Sequence, residues 1–531
     1  MADRLVGHAV VEQLIALGAD RAYGVPGESY LAVLDGLHDH PTELPFVVCR
    51  QEGGAAMMAA AHGQITGRPG IAMVTRGPGA TNASAGVHVA TQDGSPMLLL
   101  VGQVPTSQTG DRGFQEVDYD AMFAGLAKEV FTLDRPDRAC ELVVRAWSVA
   151  ASGHPGPVVL VMPEDVLSAP AADQVRPAPG PVVSAPPSVA VGEIRERLAA
   201  AERPLVVVSG TAWSDAGRAA LRDLAEDARL PVATATRRQD LLDNRSEAYA
   251  GTLGLATTPG LPELAAQADT VLLLGSAPDG LTAEDGDWLA DRPDRVLLQV
   301  HPDAGVPNRV HRTDLAVLAR ADETAVALAA VPLPESAARS EWCARLRENR
   351  VRARSAPVEE GSPAAFMAVL NEEVADDAIL TAGAGVYTGW HQRHHDYIAY
   401  PTQVASQSGS MGYGLPAAIA AASEHPGREV VAFAGDGCFL MTGQELATAV
   451  AQGLDLTVVV VVNGVYGTIR QHQERRFPGR PSGTALRNPD FAGLARAYGA
   501  WAETARTPEE LGAALRARPA AGVRLIEVLV E

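Results

Sequence analysis

VVAFAGDGCFL, residues Val430 to Leu440, is an apolar run that stops on Gly435-Asp436-Gly437. A short apolar run ending in glycine and a polar residue is the pattern of a buried strand. TGQELATAVAQGL (Thr442–Leu454) follows with helical character, and Thr442 with Glu445 is expected to form a capping box at its start. LTVVVVVNG (Leu456–Gly464) is a second buried strand, closing on Asn463-Gly464. Strand, helix and strand in that order make a parallel pair, which sets Asp436 and Asn463 at neighbouring carboxyl ends. A carboxylate beside an amide oxygen is hard-oxygen ligation suited to Mg2+, an ion that keeps phosphate oxygens among its other ligands. The flanking glycines let backbone N–H groups approach those phosphates. Gly-Asp-Gly or Asn-Gly alone is an ordinary loop. The two together, one helix apart, point to a site.

The same alternation runs outward along the chain. PFVVC (Pro45–Cys49), IAMVT (Ile71–Thr75), MLLLVG (Met97–Gly102) and VVLVM (Val158–Met162) read as buried strands, as do PLVVVSG (Pro204–Gly210), VLLLGS (Val271–Ser276) and VLLQV (Val296–Val300). Helical patterns separate them, the signature of parallel-sheet α/β folding. Six prolines between Ser168 and Ser188 mark a linker, and VPLPES (Val331–Ser336) marks a second. A charged helix, SEWCARLRENRVRAR (Ser340–Arg354), is expected before a further break at Ser355–Ser362. At 531 residues the chain exceeds one hydrophobic core. The expected fold class is α/β, with three doubly wound parallel-sheet domains over residues 1–168, 189–330 and 355–531.

Composition removes several functions. A formal charge of −21 speaks against nucleic acid as a partner. No apolar run reaches the roughly 20 residues of a membrane span. MADRLVGHAVVEQL lacks the basic start and apolar stretch of a signal peptide, so a cytoplasmic protein is expected. Cys49, Cys140, Cys343 and Cys438 are far apart, which argues against a disulfide framework or a zinc site. Lys128, in LAKEVF, is the only lysine, so neither a Walker phosphate loop nor a pyridoxal-phosphate lysine is evident.

Arg50-Gln51-Glu52-Gly53-Gly54 follows one of these strands and opens an Ala- and Met-rich helix. By itself Glu52 is a carboxylate favourably placed at a helix start. Gly435-Asp436-Gly437 with the later Asn463, however, resembles the motif shared by thiamine-diphosphate-dependent enzymes. YGVPGES (Tyr23–Ser29), RGPGATNA (Arg76–Ala83), DGSPMLLLVGQVPTS (Asp93–Ser107), GFQEVDY (Gly113–Tyr119), GHPGPVVLVMPEDV (Gly153–Val166) and GSMGYGLPAAIAA (Gly409–Ala421) resemble acetolactate synthase large (catalytic) subunits. The resemblance implies a pyrimidine-binding first domain, a central Rossmann-like domain and a diphosphate-binding third domain. It also implies thiamine diphosphate and Mg2+ as cofactors, the ion held by Asp436, Asn463 and the Val465 carbonyl. Gly437, Cys438 and Tyr466 would line the cofactor, Met411 would bend it, and Gly409 with the Met411 N–H would bind its pyrimidine ring. Glu52 would exchange a proton with that ring. Gly27 would lie near the reactive carbon, with Phe114 and Gln115 facing the substrate. The implied reaction is decarboxylation of a 2-oxoacid such as pyruvate and addition of the acyl carbanion to a second carbonyl. The implied assembly is a homodimer or homotetramer with active sites shared between chains.

Departures gather where substrate is chosen. Gln51 stands for the family's usual His, Glu164 for a lysine, Val386-Tyr387 for a Gln-His pair, Cys438 for Ser or Ala, and Val462 for the first Asn of a pair. The acceptor-selecting tryptophan is expected to correspond to His472, beside Arg470, either a solvated loop residue or a contact for a polar acceptor. Acetolactate synthases hold a non-catalytic FAD through an Arg-Phe-Asp-Asp segment that LLLGSAPDGLTAEDGDW (Leu272–Trp288) lacks, so FAD is compatible with the central domain but unsupported by its residues. VVVSGTAWSDAG (Val206–Gly217) is a degenerate nucleotide loop at best. WHQRHHD (Trp390–Asp396) reads as a polar loop, since adjacent histidines do not converge on one metal. A lyase or non-oxidative decarboxylase releasing an aldehyde is the alternative reaction, and a cofactor-binding homologue without turnover is a third reading. No G-x-G-x-x-G with a downstream acid favours a dinucleotide oxidoreductase.

Overall fold

Three six-stranded sheets, paired in parallel throughout, organise the chain. The structure is a computed structural model describing residues 4–180, 182, 184–277, 288–355 and 357–530. The first sheet comprises β1 (Ala22–Gly24), β2 (Phe46–Val48), β3 (Gly70–Val74), β4 (Met97–Gln103), β5 (Glu129–Thr132) and β6 (Pro157–Pro163), in the order β2-β1-β3-β4-β6-β5. The second comprises β7 (Pro204–Val208), β8 (Val232–Thr234), β9 (Tyr249–Thr252), β10 (Thr270–Leu274), β11 (Val296–Val300) and β12 (Leu315–Val317), ordered β12-β11-β10-β7-β8-β9. The third comprises β13 (Ile379–Ala382), β14 (Gln403–Ala405), β15 (Val430–Gly435), β16 (Leu456–Val462), β17 (Trp501–Ala505) and β18 (Val523–Leu529), ordered β14-β13-β15-β16-β18-β17. The first and third sheets thus share one topology. The second, read from β9, has the strand order of dinucleotide-binding folds.

Each apolar run singled out in the sequence is a strand. Parallel strands covered by helices on both faces need apolar side chains at successive positions, not alternate ones. Val458–Val460 and Leu98–Leu100 are accordingly all buried. The charged segment before residue 355 is the helix Ala337–Arg354, with Ser336 accepting from the Arg339 N–H. All four cysteines are buried and free, and Lys128 Nζ donates to the Val149 and Ser152 carbonyls near a helix end. Among the described residues no helix is long and apolar enough to cross a membrane.

The first and third domains meet through two small-residue helices, Glu52–Thr66 (EGGAAMMAAAHGQIT) and Gly414–Glu424 (GLPAAIAAASE). Glycine and alanine let the backbones approach closely, at the loss of little side-chain entropy. Tyr413 Oη donates to Gln64 Oε1 across the junction (2.9 Å). At its rim Glu424 lies 3.2 Å from His62 and 3.4 Å from Arg21.

The expected capping box is not formed. Residues Gly443–Glu445 are a 3-10 turn leading into the helix Leu446–Ala451. The Thr442 hydroxyl donates to the Gly412 carbonyl instead (2.6 Å). Glu445, fully buried, accepts from the N–H of Arg50 (3.1 Å), the N–H of Gln51 (3.0 Å) and the Thr448 hydroxyl (2.7 Å). Its carboxylate satisfies two backbone donors of the other domain, a tertiary demand stronger than a local cap. Glu445→Leu leaves these partly buried donors without their partner, an expected cost of about 2 kcal/mol. Thermal unfolding should show a clearly lowered midpoint, and an unchanged midpoint would rule out this link.

Candidate active site

β15 and β16 pair with Gly435 opposite Val461, so Asp436 and Asn463 each begin the loop at the same sheet edge. Asp436 is buried. Its Oδ1 accepts from the Gly437 N–H (2.8 Å), and its Oδ2 from the Gly464 N–H (2.8 Å) and Asn488 Nδ2 (2.7 Å). Asn463 Oδ1 accepts from the Val465 N–H (3.1 Å). A bridge between Val465 and Ala485 pins this loop, through Tyr466 N–H to Thr484 O (2.8 Å) and Leu486 N–H to Gly464 O (2.7 Å). The Val465 carbonyl accepts no hydrogen bond among the described residues. Three oxygens therefore keep lone pairs at one sheet edge: Asp436 Oδ1, Asn463 Oδ1 and Val465 O. That donor set fits a hard divalent cation.

These residues line a cavity of about 580 Å³ that also takes in Ala384 to Gly389, Ser408, Gly409, Met411, Gly437, Cys438, Tyr466 and Ile469. Gly437 must be glycine, because a Cβ would lie 2.4 Å from the Tyr466 ring. The Cys438 sulfur accepts from Tyr387 Oη and from the Gly412 N–H, each at 3.1 Å, and so ties together two walls. Burial, and then Cys438, raise the Tyr387 hydroxyl well above its ordinary pKa, leaving it a donor. Val386 and Tyr387, the departures from Gln-His, both face the cavity. Diphosphate-sized space, backbone N–H groups and a hard-oxygen set converge here.

Several contributors had roles that the sequence did not announce, Asp93 standing only as the first residue of a family-like stretch. Arg237, buried, reaches the cavity from the central domain and donates to the Ser406 carbonyl. Asp93, from the first domain, accepts from the N–H groups of Gln407 (2.7 Å) and Ser408 (3.2 Å), fixing the loop that carries Gly409. Burial raises its carboxyl pKa, against the pull of Arg238. Asn488 gave no signal, since it reads as a turn residue before a proline.

His472 takes the solvated one of its two expected settings in the single chain, on a helix and not a loop. The helix Gly467–Arg476 turns Thr468, Ile469 and Gln471 into the cavity, and His472 is exposed outside its lining. Arg470 is occupied elsewhere, 3.3 Å from Thr484 Oγ1 and 3.5 Å from Glu474. WHQRHHD is likewise no loop, for its first residues lie in the helix Thr388–His394. His391 pairs with the Tyr397 hydroxyl (2.7 Å) and His395 with Asn371 (2.8 Å).

The remaining expected residues gather in the first domain. Glu52 begins its helix, with Gln51 Oε1 accepting from the Gly54 N–H, and its Oε2 accepts from Asn82 Nδ2 (2.9 Å). Thr75 lies between Gly27 and Gly79, and a Cβ on Gly79 would stand 3.4 Å from Glu52 Oε1. Phe114 is 71% exposed, and Gln115 holds φ +64°, a strained value for a non-glycine residue. Gly77 admits Gln115, since a Cβ there would be 2.7 Å from that of Gln115. Arg76, buried, donates to the Phe114 carbonyl (3.0 Å) and pairs with Glu164 (2.9 Å) and Glu28 (3.3 Å). Glu164 thus anchors the arginine that holds the Phe114 loop. None of Gly27, Glu52, Phe114 or Gln115 lines the 580 Å³ cavity of the same chain.

The described residues of the central domain leave a dinucleotide little room. The cleft past β7 and β10 measures about 40 Å³, with Trp213 in its wall donating to the Ser209 carbonyl (3.0 Å). A phosphate would sit at the start of the helix Asp215–Asp227. There the Ser214 N–H already meets Asp322 Oδ2 (3.3 Å), a carboxylate also held by Arg320 (3.0 Å). Part of the Leu272–Trp288 stretch, residues 278–287, lies outside the described residues.

Comparison with known proteins agrees with this geometry. Models of the thiamine pyrophosphate enzymes match as an N-terminal TPP binding domain over residues 4–122, a central domain over 191–328 and a C-terminal TPP binding domain over 383–528. The acetolactate synthase large subunit of Corynebacterium glutamicum is 31% identical, across 96% of this chain and 84% of its own. That of Parasynechococcus marenigrum is 31% identical across 92% and 82%, and the isozyme 2 large subunit of Escherichia coli 29% across 95% and 92%. The chain belongs to the thiamine-pyrophosphate-dependent enzyme family, among the relatives of the acetolactate synthase large subunits.

Proposed function

We propose that this chain is a decarboxylating carboligase of 2-oxoacids whose active site joins the third domain of one copy to the first domain of another. The observation that carries the reading is the 580 Å³ cavity with the Asp436, Asn463 and Val465 oxygens at one end and Met411 in its wall. Bound thiamine diphosphate supplies a nucleophilic carbon and an electron sink for loss of CO2. The three oxygens would hold Mg2+, and the Gly437 region would receive the diphosphate. Met411 would support the cofactor from the cavity wall, which Tyr387 and Cys438 keep rigid. Glu52, oriented by Asn82, moves the proton at the pyrimidine ring. Phe114 and Gln115 close over the substrate and exclude water.

Separation of the two groups of residues supports a dimer with shared sites. Phe114 in the first domain and Leu440, Met441, Ile469 and Phe477 in the third are large apolar side chains left exposed by one chain. Facing copies would cover them. No flavin is assigned to the central domain, because Asp322 takes the place its diphosphate needs. A lyase releasing aldehyde stays as the alternative reaction, and the products decide between them.

Purified protein given pyruvate, thiamine diphosphate and Mg2+, with no flavin added, should release CO2 and form acetolactate. CO2 accompanied only by free aldehyde would replace the carboligase by the lyase, and a strict FAD requirement would overturn the flavin assignment. Asp436→Ala should lose Mg2+-dependent cofactor binding in a titration followed by tryptophan fluorescence. Glu52→Gln should retain that binding but lose at least about a hundredfold in turnover. Wild-type affinity in the first variant or wild-type turnover in the second would remove the assigned role.

A further inference from the structure

The loop that carries Phe114 and Gln115 has no apolar anchor of its own. It leaves β4 at Gln103 and ends at the helix Tyr119–Phe123. No side chain from Pro105 to Asp118 is buried. Arg112 and Gln115 both hold left-handed backbone, at φ +57° and +64°. A segment with so few apolar contacts and two strained residues opens easily unless polar ties hold it.

Two consecutive carboxylates supply those ties. β4 and β6 pair in parallel with Gln103 opposite Pro163, so the residues that follow each strand emerge side by side. Asp165 takes the near end of the loop. Its Oδ1 accepts from the Thr106 N–H (2.9 Å) and its Oδ2 from the Thr106 hydroxyl (2.6 Å). Glu164 takes the far end through Arg76, whose Nη1 lies 2.9 Å from Glu164 Oε2 while its Nε donates to the Phe114 carbonyl (3.0 Å). Between the two ends Glu116 braces the turn, accepting from the N–H groups of Gly110 (2.6 Å) and Gly113 (2.9 Å). The Arg76 side chain is only 8% exposed, so solvent screens its ion pair with Glu164 weakly. The family's usual lysine at position 164 would repel Arg76 and cancel this tie.

We propose that Glu164 and Asp165 are positioning residues for the substrate, fixing both ends of the loop so that Phe114 and Gln115 stand in place before substrate arrives. The proposal rests on the functional reading above, in which those two residues face the substrate. Order already present in the free enzyme is not drawn from the substrate's binding energy. Neither carboxylate lines the 580 Å³ cavity, so cofactor binding does not depend on them.

Glu164→Lys and Asp165→Ala, each loaded with thiamine diphosphate and Mg2+, test this by hydrogen exchange and by kinetics. Amide exchange over residues 104–117 should quicken about tenfold in both variants. The unfolding midpoint should stay near that of the wild type, because neither change removes a buried side chain. With pyruvate, KM should rise about tenfold at nearly constant kcat, with cofactor affinity retained. Asp165→Asn still accepts from the Thr106 N–H and meets its hydroxyl, so it should restore both readings. In an Arg76→Met background Glu164→Lys should add nothing, since Glu164 acts through Arg76. Unchanged exchange in both variants would overturn the ties. Faster exchange at unaltered KM, or a loss confined to kcat, would overturn the positioning role. The exchange measurement uses no substrate, so its failure is distinct from that of the carboligase reading.

Discussion

Parallel pairing of β15 with β16 is the constraint on which the rest of this molecule depends. It puts the start of two loops side by side, and the Asp436 carboxylate then draws both together by accepting from Gly437, Gly464 and Asn488. A buried carboxylate is tolerated only when so satisfied. Oδ2 takes two of these donors and Oδ1 only one, which leaves Oδ1 a lone pair for a further partner. Structure and ligand chemistry thus share a single side chain. Any shift of register would move Asp436 and Asn463 apart together with the valines that bury the strand.

A second demand fixes the domains. The small-residue helices Glu52–Thr66 and Gly414–Glu424 pack closely, and Glu445 reaches across to hold the N–H groups just before Glu52. Glu52 does not line the Asp436 cavity of its own chain. Arg76, with Glu28 and Glu164, keeps Phe114 exposed and Gln115 strained. An exposed phenylalanine on a strained loop has a cost with no return in a lone chain, and the proposed contact with a second copy would supply that return.

The long strands were legible because a fully covered parallel strand writes itself as an uninterrupted apolar run, as Val458–Val462 does. Asp436 and Asn463 were legible because polar residues after such runs have few other reasons to be there. Short strands such as β1 and β14 were not, since three residues carry no period. Glu445 was read as a local cap because its true partners, Arg50 and Gln51, are remote in sequence. WHQRHHD was read as a loop because its polar residues are satisfied by tertiary partners such as Tyr397. His472 was read as a loop residue because its helix shows no apolar period. A turn of about 100° per residue puts its neighbour Gln471, not His472, in the wall of the single-chain cavity. Arg237, Asp93 and Asn488 gave no local signal, because their roles exist only once the domains have met.

Shared sites, the central claim, are tested most directly by mixing. Glu52→Gln and Asp436→Ala chains, each inactive alone, are co-expressed under different tags and the mixed dimer is purified. If each site takes Glu52 from one chain and Asp436 from the other, one site in the mixed dimer is intact, and about half the wild-type turnover per dimer is expected. If both residues serve the same chain's site, every site in the mixture carries a lesion. Turnover no higher than that of the single variants would contradict the two-chain site.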